Sequence, residues 1–439
     1  MEGGFSKEAV EALSAWRGDP DWVREFRLLA WQFYEEIPFP TTSDEAWRRT
    51  PLRGLDLNRV ASAPAGRLSP VASREDLPIE VQPYLARDEE IAGLLVHGDG
   101  EPLYRALQAE LSARGVILTD MDTAAREYAD LVRPHFMTEA VPVDSNKFAA
   151  LHAAFWQGGT FLYVPRGVQV ELPLQAVAAR GATGAGHFSH TLIIVEENAA
   201  VTFIEDYVSL ASGDEGLHSG VVEIIVRPGG RLTYVYLQDW ARDMWNFSTQ
   251  RAVLDRDSTL LWIAGNMGSR LTKTFSRLAL QGPGASAEML GILFADDRQH
   301  IDLDTFQDHI APHGTSDLLY KNVLKGQART VWRGMIWAHK SAQKTNAYQK
   351  NENLILDDRA RADSIPGLEI EANDLRCTHG ATAGKINPDH LFYLMSRGLS
   401  RKQAERMIVE GFFEPLLARI PVESVRERLE QAIVAKLEG

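Results

Sequence analysis

VVEIIVRPGGRLTYVYL, from Val221 to Leu237, carries the arrangement on which the fold depends. Two runs of β-branched and aromatic residues, typical of strands, flank a tight turn at Pro228-Gly229-Gly230. Further turns of this kind lie at Glu197-Asn198, Arg256-Asp257, Gly282-Pro283-Gly284, Gly326-Gln327 and Asp357-Asp358. Turns that recur roughly every 30 residues mark a solenoid, in which each strand pair buries its apolar face only by stacking on the next.

This strand pattern extends from about Val141 to Arg376, and it is compatible with two folds. A β-sandwich also consists of many short strands that are joined by turns rich in Gly, Pro and Asp. The pattern by itself therefore favours the solenoid and the sandwich equally.

Helical segments are predicted on both sides of the strands. Apolar residues with a period near 3.6 indicate helix over residues 5–37, and two further helices are predicted over Glu101–Leu111 and Ala124–Leu131. After the strands, Asn387 and Ser400 are of the type that caps helices. The predicted domains are a mostly helical N-terminal domain (1–140), a β core (141–384) and a helical C-terminal domain (385–439).

The composition limits the classes of function. A net charge of −14 over 439 residues argues against non-specific nucleic-acid binding and against adhesion to anionic membranes, because both need a basic surface. No apolar run is long enough to cross a bilayer, and the segment from Met1 to Trp16 lacks the apolar core of a signal peptide. A single cysteine excludes an internal disulfide framework and fits a reducing compartment, so we expect a cytoplasmic protein.

Cys377 and His379 form the first candidate site. They lie two residues apart at the predicted end of a strand, so both side chains project from the same face. A thiolate beside an imidazole is half of a ligand set for a soft or borderline metal. An iron–sulfur cluster takes about four ligands, and this chain has no second cysteine, so such a site requires another chain. The alternative, which the spacing alone favours, is a buried structural cysteine beside a hydrogen-bonded histidine.

Other histidines are weaker candidates. A spacing of three places His187 and His190 on opposite faces of a strand, which argues against a shared metal centre. The segment from Asp296 to Gly314 is predicted to be a solvated polar loop. It contains His300, His309 and His313.

Two acids and the absence of two motifs bear on enzymatic function. Asp302 and Asp304 resemble the paired carboxylates of a glycosidase, although sequence spacing does not establish their separation. Neither a Walker-type phosphate loop nor a GxGxxG turn after a strand is present. The chain is therefore not expected to bind a nucleotide by these motifs.

Three parts of the sequence carry a family resemblance. The C-terminal part contains LEIEAND from Leu368 to Asp374, CTHGATAG from Cys377 to Gly384 and LFYL from Leu391 to Leu394. The middle part contains FLYVPRGV from Phe161 to Val168 and TLIIVEE from Thr191 to Glu197. Near the N-terminus, Ile-Pro-x-Pro-Thr begins at Ile37 and Trp-Arg-x-Thr begins at Trp47. With these motifs the chain resembles the SufB/SufD family of iron–sulfur cluster assembly proteins, and the SufD branch in particular.

The resemblance implies a right-handed parallel β-helix between helical end domains, which decides between solenoid and sandwich. It also implies that the chain pairs with a SufB paralogue through the β-helix, and that each subunit binds one copy of the ATPase SufC through its C-terminal helices. His379 matches a SufD histidine that helps to hold the nascent cluster, and Cys377 matches a cysteine usual in that branch. Where SufB has an interface cysteine this chain has Ala360, so cluster building by this chain alone is not expected.

The leading hypothesis is a non-enzymatic SufD-type scaffold subunit that shares a transient iron–sulfur cluster with its partner. Met407, Phe412 and Phe413 are the predicted ATPase-binding residues, because Phe413 is expected to be exposed beside the apolar stripe of its helix. The alternative is that Phe413 packs on the final helix. Two other hypotheses stay open: a homodimeric iron–sulfur scaffold, and a β-solenoid carbohydrate-active enzyme that uses Asp302 or Asp304.

Overall fold

The computed structural model describes residues 4–63 and 69–438. Within these ranges the chain forms nine α-helices and twenty β-strands, and most of the strands build a β-solenoid of about 8 turns. Helices precede the solenoid and follow it, so the prediction of a mainly β solenoid with helical ends is confirmed. The described residues contain no helix that is long and apolar enough to span a membrane.

The elements before the first parallel coil lie on both sides of a long irregular segment. They are α1 (Lys7–Arg17), α2 (Asp21–Glu36), β1 (Gly93–Gly98), β2 (Glu101–Leu107), α3 (Ala109–Ala113), β3 (Ile117–Asp120), α4 (Met121–Glu127), α5 (Ala129–Val132) and α6 (Lys147–Phe155). Ser6 caps α1 by accepting the N–H of Ala9, and α2 begins directly after Pro20.

The prediction of a helix over Glu101–Leu111 is wrong. Residues Glu101–Leu107 form β2, which pairs antiparallel with β1, and α3 begins only at Ala109. Leu103 and Leu107 are four residues apart, a spacing that places two side chains on one face of a helix or of a strand. The hairpin with β1 across the two-residue turn Asp99-Gly100, whose φ values are 51° and 83°, decides in favour of the strand.

The remaining strands and helices follow in a regular order. The strands are β4 (Gly159–Val164), β5 (Leu174–Arg180), β6 (Gly186–His187), β7 (His190–Val195), β8 (Ala200–Ser209), β9 (Gly216–Val226), β10 (Arg231–Asp239), β11 (Met244–Leu254), β12 (Thr259–Asn266), β13 (Leu271–Leu280), β14 (Ser286–Ala295), β15 (His300–His309), β16 (Thr315–Leu324), β17 (Arg329–Ala338), β18 (Asn346–Ile355), β19 (Arg361–Ile370) and β20 (Arg376–Lys385). The helices are α7 (Pro388–Ser396), α8 (Arg401–Leu417) and α9 (Glu423–Glu438).

Two sheets form the walls of the solenoid. One has the order β2-β1-β5-β8-β10-β12-β14-β16-β18-β20, and the other has the order β19-β17-β15-β13-β11-β9-β7-β4-β3, with β6 paired to β9. From β4 onwards the paired strands are parallel, and the two strands that flank a turn belong to different sheets. Each predicted turn is therefore a corner of the solenoid and not the tip of a hairpin.

The corners need backbone conformations that few residues adopt. Asn198, Gly229, Asp257 and Gly284 have φ values of 58°, 67°, 56° and 76°, in the left-handed region that Gly, Asn and Asp tolerate best. The backbone N–H of Gly229 donates to the carbonyl of Arg256, which belongs to the next corner. The recurring turns of the sequence thus become a row of linked corners along one edge of the solenoid.

Helices cover the outer face of each sheet. Residues from α6 and the N-terminal segment pack on β11 and β13, where Phe148 stacks on Phe247 with ring centroids 3.8 Å apart and Trp47 lies against Phe275. Helices α8 and α9 pack on the opposite sheet. A third apolar core fills the space between the two sheets.

The prediction of a polar loop from Asp296 to Gly314 is wrong. Most of this segment is strand β15, in which His309 is fully buried and His300 forms a hydrogen bond of 2.8 Å with Thr50. Only His313 lies at a corner. Two outward side chains of β15, His300 and Asp302, have Thr50 of the N-terminal segment as a partner, a contact between residues about 250 positions apart.

Candidate functional site

The last coil of the solenoid is open at its edge. Strands β19 and β20 end the two sheets, and no described strand pairs with their outer edges. Both are ten residues long. A long strand edge with unpaired N–H and C=O groups is a template for pairing with another chain.

The strand register decides the direction in which Cys377 and His379 point. Cys377 is aligned with Ala347 and His379 with Gln349, and both of these residues of β18 are buried inside the solenoid. Side chains of aligned residues in neighbouring strands share a face. Cys377 and His379 therefore both lie on the interior side of the last coil.

The interior of this coil is open along the solenoid axis because no coil follows it. Leu368 and Ile370 of β19 are 38% and 41% exposed, whereas their register partners in β17, Ile336 and Ala338, are fully buried. Large apolar side chains beside an unpaired strand edge are typical of a protein–protein contact.

The two candidate ligands differ in their surroundings. Cys377 is a free, half-buried cysteine, and burial raises the pKa of its thiol, opposed by a hydrogen bond with the backbone of Ala347. His379 is exposed, and its ring makes no hydrogen bond with another described residue. Iron binds the thiolate and the neutral imidazole, so a cluster would deprotonate the thiol on binding. The pair is a partial ligand set.

The described residues do not complete this set. They contain no group of three or more His, Cys, Asp or Glu side chains that is placed to hold a metal ion. Ala360 lies at the corner between β18 and β19, whereas Cys377 follows the next corner, between β19 and β20. A four-ligand site at this end of the solenoid therefore requires donors from a second chain.

Asp302 and Asp304, the two carboxylates that suggested a glycosidase, are buried and have partners within the chain. Asp302 pairs with Lys273 at 2.9 Å and accepts a hydrogen bond from Thr50. Asp304 faces Arg333 at 4.0 Å. Burial raises the pKa of both carboxyls, and Lys273 opposes the shift. A glycosidase needs two carboxyl groups that a sugar can reach, and the covered face of β15 does not offer them.

Two histidine pairs inside the fold are not evident from the sequence. His187 Nδ1 lies 3.0 Å from His218 Nδ1, and His190 Nδ1 lies 3.0 Å from His152 Nε2. Burial lowers the pKa of all four rings, to about 3 for His190 and His218, so the rings are neutral. His187 and His190 do not share a strand, and each pairs with a distant residue instead. These pairs are buried hydrogen-bonded histidines.

The C-terminal helices expose other residues than expected. Phe413 is fully buried, so the prediction of an exposed Phe413 is wrong. Phe412 is only partly buried, and the buried residues of α8 are Ala404, Val409, Phe413, Leu416 and Leu417. The exposed large apolar residues of these helices are Phe392 (74%), Tyr393 (55%), Met395 (42%) and Met407 (50%). Helix α7 has more apolar residues than one buried helix face can hold. This excess is the feature of the sequence that indicates an exposed apolar surface.

Two family models match the chain. The model described as SUF system FeS cluster assembly, SufBD core domain, matches residues 177–412. The model described as SufBD protein N-terminal region matches residues 100–176. The chain belongs to the SufBD family. This SufBD protein is therefore an iron–sulfur cluster assembly protein, as the resemblance predicted.

Curated relatives align with this SufBD protein over its full length. The iron–sulfur cluster assembly protein SufB of Bacillus subtilis is 34% identical, over 100% of this chain and 94% of that protein. SufBD family proteins of Staphylococcus epidermidis and Staphylococcus haemolyticus are 32% identical with the same coverage. These relatives establish the family, and assignment to the SufD branch stays a prediction.

Proposed function

We propose that this SufBD protein is a SufD-type scaffold subunit, without an enzymatic reaction of its own, that shares a nascent iron–sulfur cluster with a partner chain. One observation carries the proposal. Cys377 and His379 share the open interior side of the last coil, and no other group of described residues completes a metal site there. The partner supplies the remaining ligands.

A SufB paralogue is the proposed partner. The ten-residue edges of β19 and β20 are long enough for strand addition, in which main-chain hydrogen bonds give affinity. Leu368 and Ile370 add apolar area beside the edge. The resemblance supports SufB, because that branch has a cysteine where this chain has Ala360. The two chains together would provide a ligand set that neither has alone.

The C-terminal helices are the proposed binding site for SufC. In α7 only Leu391 is buried, whereas Phe392, Tyr393 and Met395 are exposed, with Met407 exposed on the adjoining helix α8. Neighbouring exposed aromatic residues are typical of interaction hot spots. Phe412 lies at the margin of this surface, and Phe413 supports α8 from inside.

The attachment of α9 gives a route by which SufC would act on the cluster site. Lys436 contacts Asp296 at 2.8 Å, and Arg428 pairs with Asp206 of β8. Both acids belong to the sheet that ends in β20, or directly follow one of its strands. Movement of SufC on ATP binding would therefore transmit force through α9 to the sheet that carries His379.

Two variants of the chain test the SufC site. Phe392→Asp should weaken SufC binding by at least about tenfold and leave the SufB contact intact, since this side chain is 74% exposed and its loss does not open a core. A chain that ends at Gly384 should lose SufC binding completely. Binding is measured by calorimetry with purified SufC.

Ile79→Asp is the matched control for Phe392→Asp. Ile79 is 78% exposed and lies outside the C-terminal helices, so this variant should bind SufC normally. Normal affinity of the chain that ends at Gly384 would place the SufC site elsewhere.

A homodimeric scaffold is the second candidate function. The open end would pair with a second copy through the same surface, as in a two-fold symmetric dimer. Two copies of the Cys377 and His379 pair provide two cysteines and two histidines, the ligand set of a Rieske-type centre. Iron and sulfide that remain on the purified chain at dimer mass, without SufB, would favour this function over the shared site.

A further inference from the structure

A cavity of about 560 Å³ lies between the N-terminal segment and the outer face of the solenoid. Its walls consist of residues from segments 37–47 and 140–147, and of outward side chains of β11 and β13. This volume is in the range of small-molecule sites. The cavity is on different strands from Cys377 and His379, and on the sheet opposite to α8 and α9.

Two arginines stand side by side at this cavity. Arg251 of β11 is the register partner of Arg277 of β13, so their side chains leave the same face of adjacent strands, about 4.8 Å apart. Neither guanidinium makes a hydrogen bond or an ion pair with another described residue. Arg277 lies 5.3 Å from the ring centroid of Phe306. Arg277 is exposed and Arg251 is partly buried, and like charges directly opposite each other destabilise a sheet, so an anion that bridges the pair would stabilise it.

No described acidic group forms an ion pair with either arginine. The acidic groups around the cavity that have a partner are Asp308, which accepts from His339, Asp44, which accepts from Thr41, and Glu45, which pairs with Arg48. Asp144 is exposed to solvent. Burial lowers the pKa of Arg251, Asp308 opposes this shift and Arg277 adds to it. Arg251 is thus a partly buried cation without a contacting anion.

The remaining walls contribute a helix start and an apolar surface. Asn146 caps α6 by accepting the N–H of Phe148 and Ala149, and its amide donates to Thr249 Oγ1 at 3.0 Å. The positive end of this nine-residue helix therefore lies at the cavity. The apolar lining residues are Ile37, Pro38, Pro40, Trp47 and Phe275.

We propose that this cavity binds a small organic phosphate, with Arg251 and Arg277 holding the phosphate group and the apolar wall taking the rest of the molecule. Two guanidinium groups match the double negative charge and the several acceptor oxygens of a phosphate monoester. The bound phosphate would replace the repulsion between the arginines with two attractions. This site goes beyond the scaffold function and does not depend on it.

Thermal unfolding of the purified full-length chain with phenyl phosphate tests the proposal. Phenyl phosphate should raise Tm by about 2 °C or more relative to sodium chloride of equal ionic strength, because a ligand of the folded state stabilises it. Arg251→Gln and Arg277→Gln should each remove most of this rise. Arg298→Gln, which changes an exposed arginine at another corner, is the matched control and should keep it.

Two further ligands identify the part of the molecule that is recognised. Inorganic phosphate should give a smaller rise than phenyl phosphate, and phenol should give none. Equal rises with phenyl phosphate and inorganic phosphate would overturn the assignment of an organic ligand. Absence of a rise in the wild-type chain, or a rise that persists in both glutamine variants, would overturn the site itself.

Discussion

At its N-terminal end the solenoid finishes in β2 and β3, and its interior there is filled by Leu111 of α3, by Val116 and by Leu118 of β3, which are buried in the core between the two sheets. At its C-terminal end it finishes in β19 and β20, two parallel strands of ten residues whose outer edges have no partner among the described residues. The same repeating coil is thus closed at one end and open at the other.

The closed part contains residues that stabilise the fold, whereas the open end contains residues that a partner chain would cover. In the closed part, the buried carboxylate of Asp302 has its partners, Lys273 and Thr50, within the chain. At the open end, Leu368, Ile370 and His379 are exposed although their register places them on the interior side. A solenoid needs a cap at each end, and in this SufBD protein we expect the partner chain to be the second cap.

Truncation of a leucine in the core and of a leucine at the open end should differ most in their effect on the free energy of unfolding. Leu318→Ala in the core of β16, where the side chain is fully buried, should lower the free energy of unfolding by about 3–5 kcal/mol. Leu368→Ala should lower it by less than about 1 kcal/mol in the isolated chain, because that side chain is 38% exposed. Urea unfolding followed by circular dichroism measures both. Similar losses would show that the end of the solenoid is not open.

The recurring turns located the corners, because Gly, Asn and Asp tolerate the positive φ found at Asn198 and Gly229, while the family resemblance decided between solenoid and sandwich. What the turns did not reveal is which strands pair. The strand at Glu101–Leu107 was misassigned because its leucine spacing fits both periods, and β15 was misassigned because its polar partners are distant in sequence. The hairpin with β1 decides the first case, and contacts over a long sequence separation decide the second.

A buried carboxyl in the closed part should make stability depend on pH. Burial raises the pKa of Glu205 from 4.5 to about 7, against hydrogen bonds from Thr191 and Tyr234. The folded chain therefore holds a proton that the unfolded chain releases, so the stabilising contribution is complete below pH 4.5 and is lost as the pH rises to about 7. The shift corresponds to about 3 kcal/mol.

Glu205→Gln should remove most of the loss of stability that ionisation of Glu205 causes. The free energy of unfolding of this variant should therefore fall less than that of the wild type between about pH 5 and pH 7.5. Urea unfolding at several pH values measures the difference. Glu89→Gln, at an exposed position, should follow the wild type. An unchanged pH profile in Glu205→Gln would show that this carboxyl is ionised in the folded chain.

For the candidate site, the sequence showed that Cys377 and His379 are two residues apart, and the register of β20 places both on the open interior side. The exposed residues of the proposed SufC site were harder to predict. The period of α8 fits a stripe through Ile408 and Phe412 about as well as the observed stripe through Val409 and Phe413. The choice depends on how α8 lies on α9, which is a tertiary contact.

Cys377→Ser should have the smallest effect on stability. The side chain is half-buried at the open end, so the expected loss in free energy of unfolding is below about 1 kcal/mol. Urea unfolding again provides the measurement. A loss of several kcal/mol would assign Cys377 a structural role and remove it from the proposed ligand set.

Cluster content of the assembled complex tests the open-end site most directly. His379→Ala is co-purified with the proposed SufB and SufC partners, and bound iron, sulfide and visible absorbance are measured after reconstitution. His313→Asn, at an exposed corner, is the control. We predict that the His379→Ala complex assembles normally and holds at least about twofold less cluster than the wild type or the control. Wild-type cluster content in a fully assembled His379→Ala complex would contradict a ligand role for the open end.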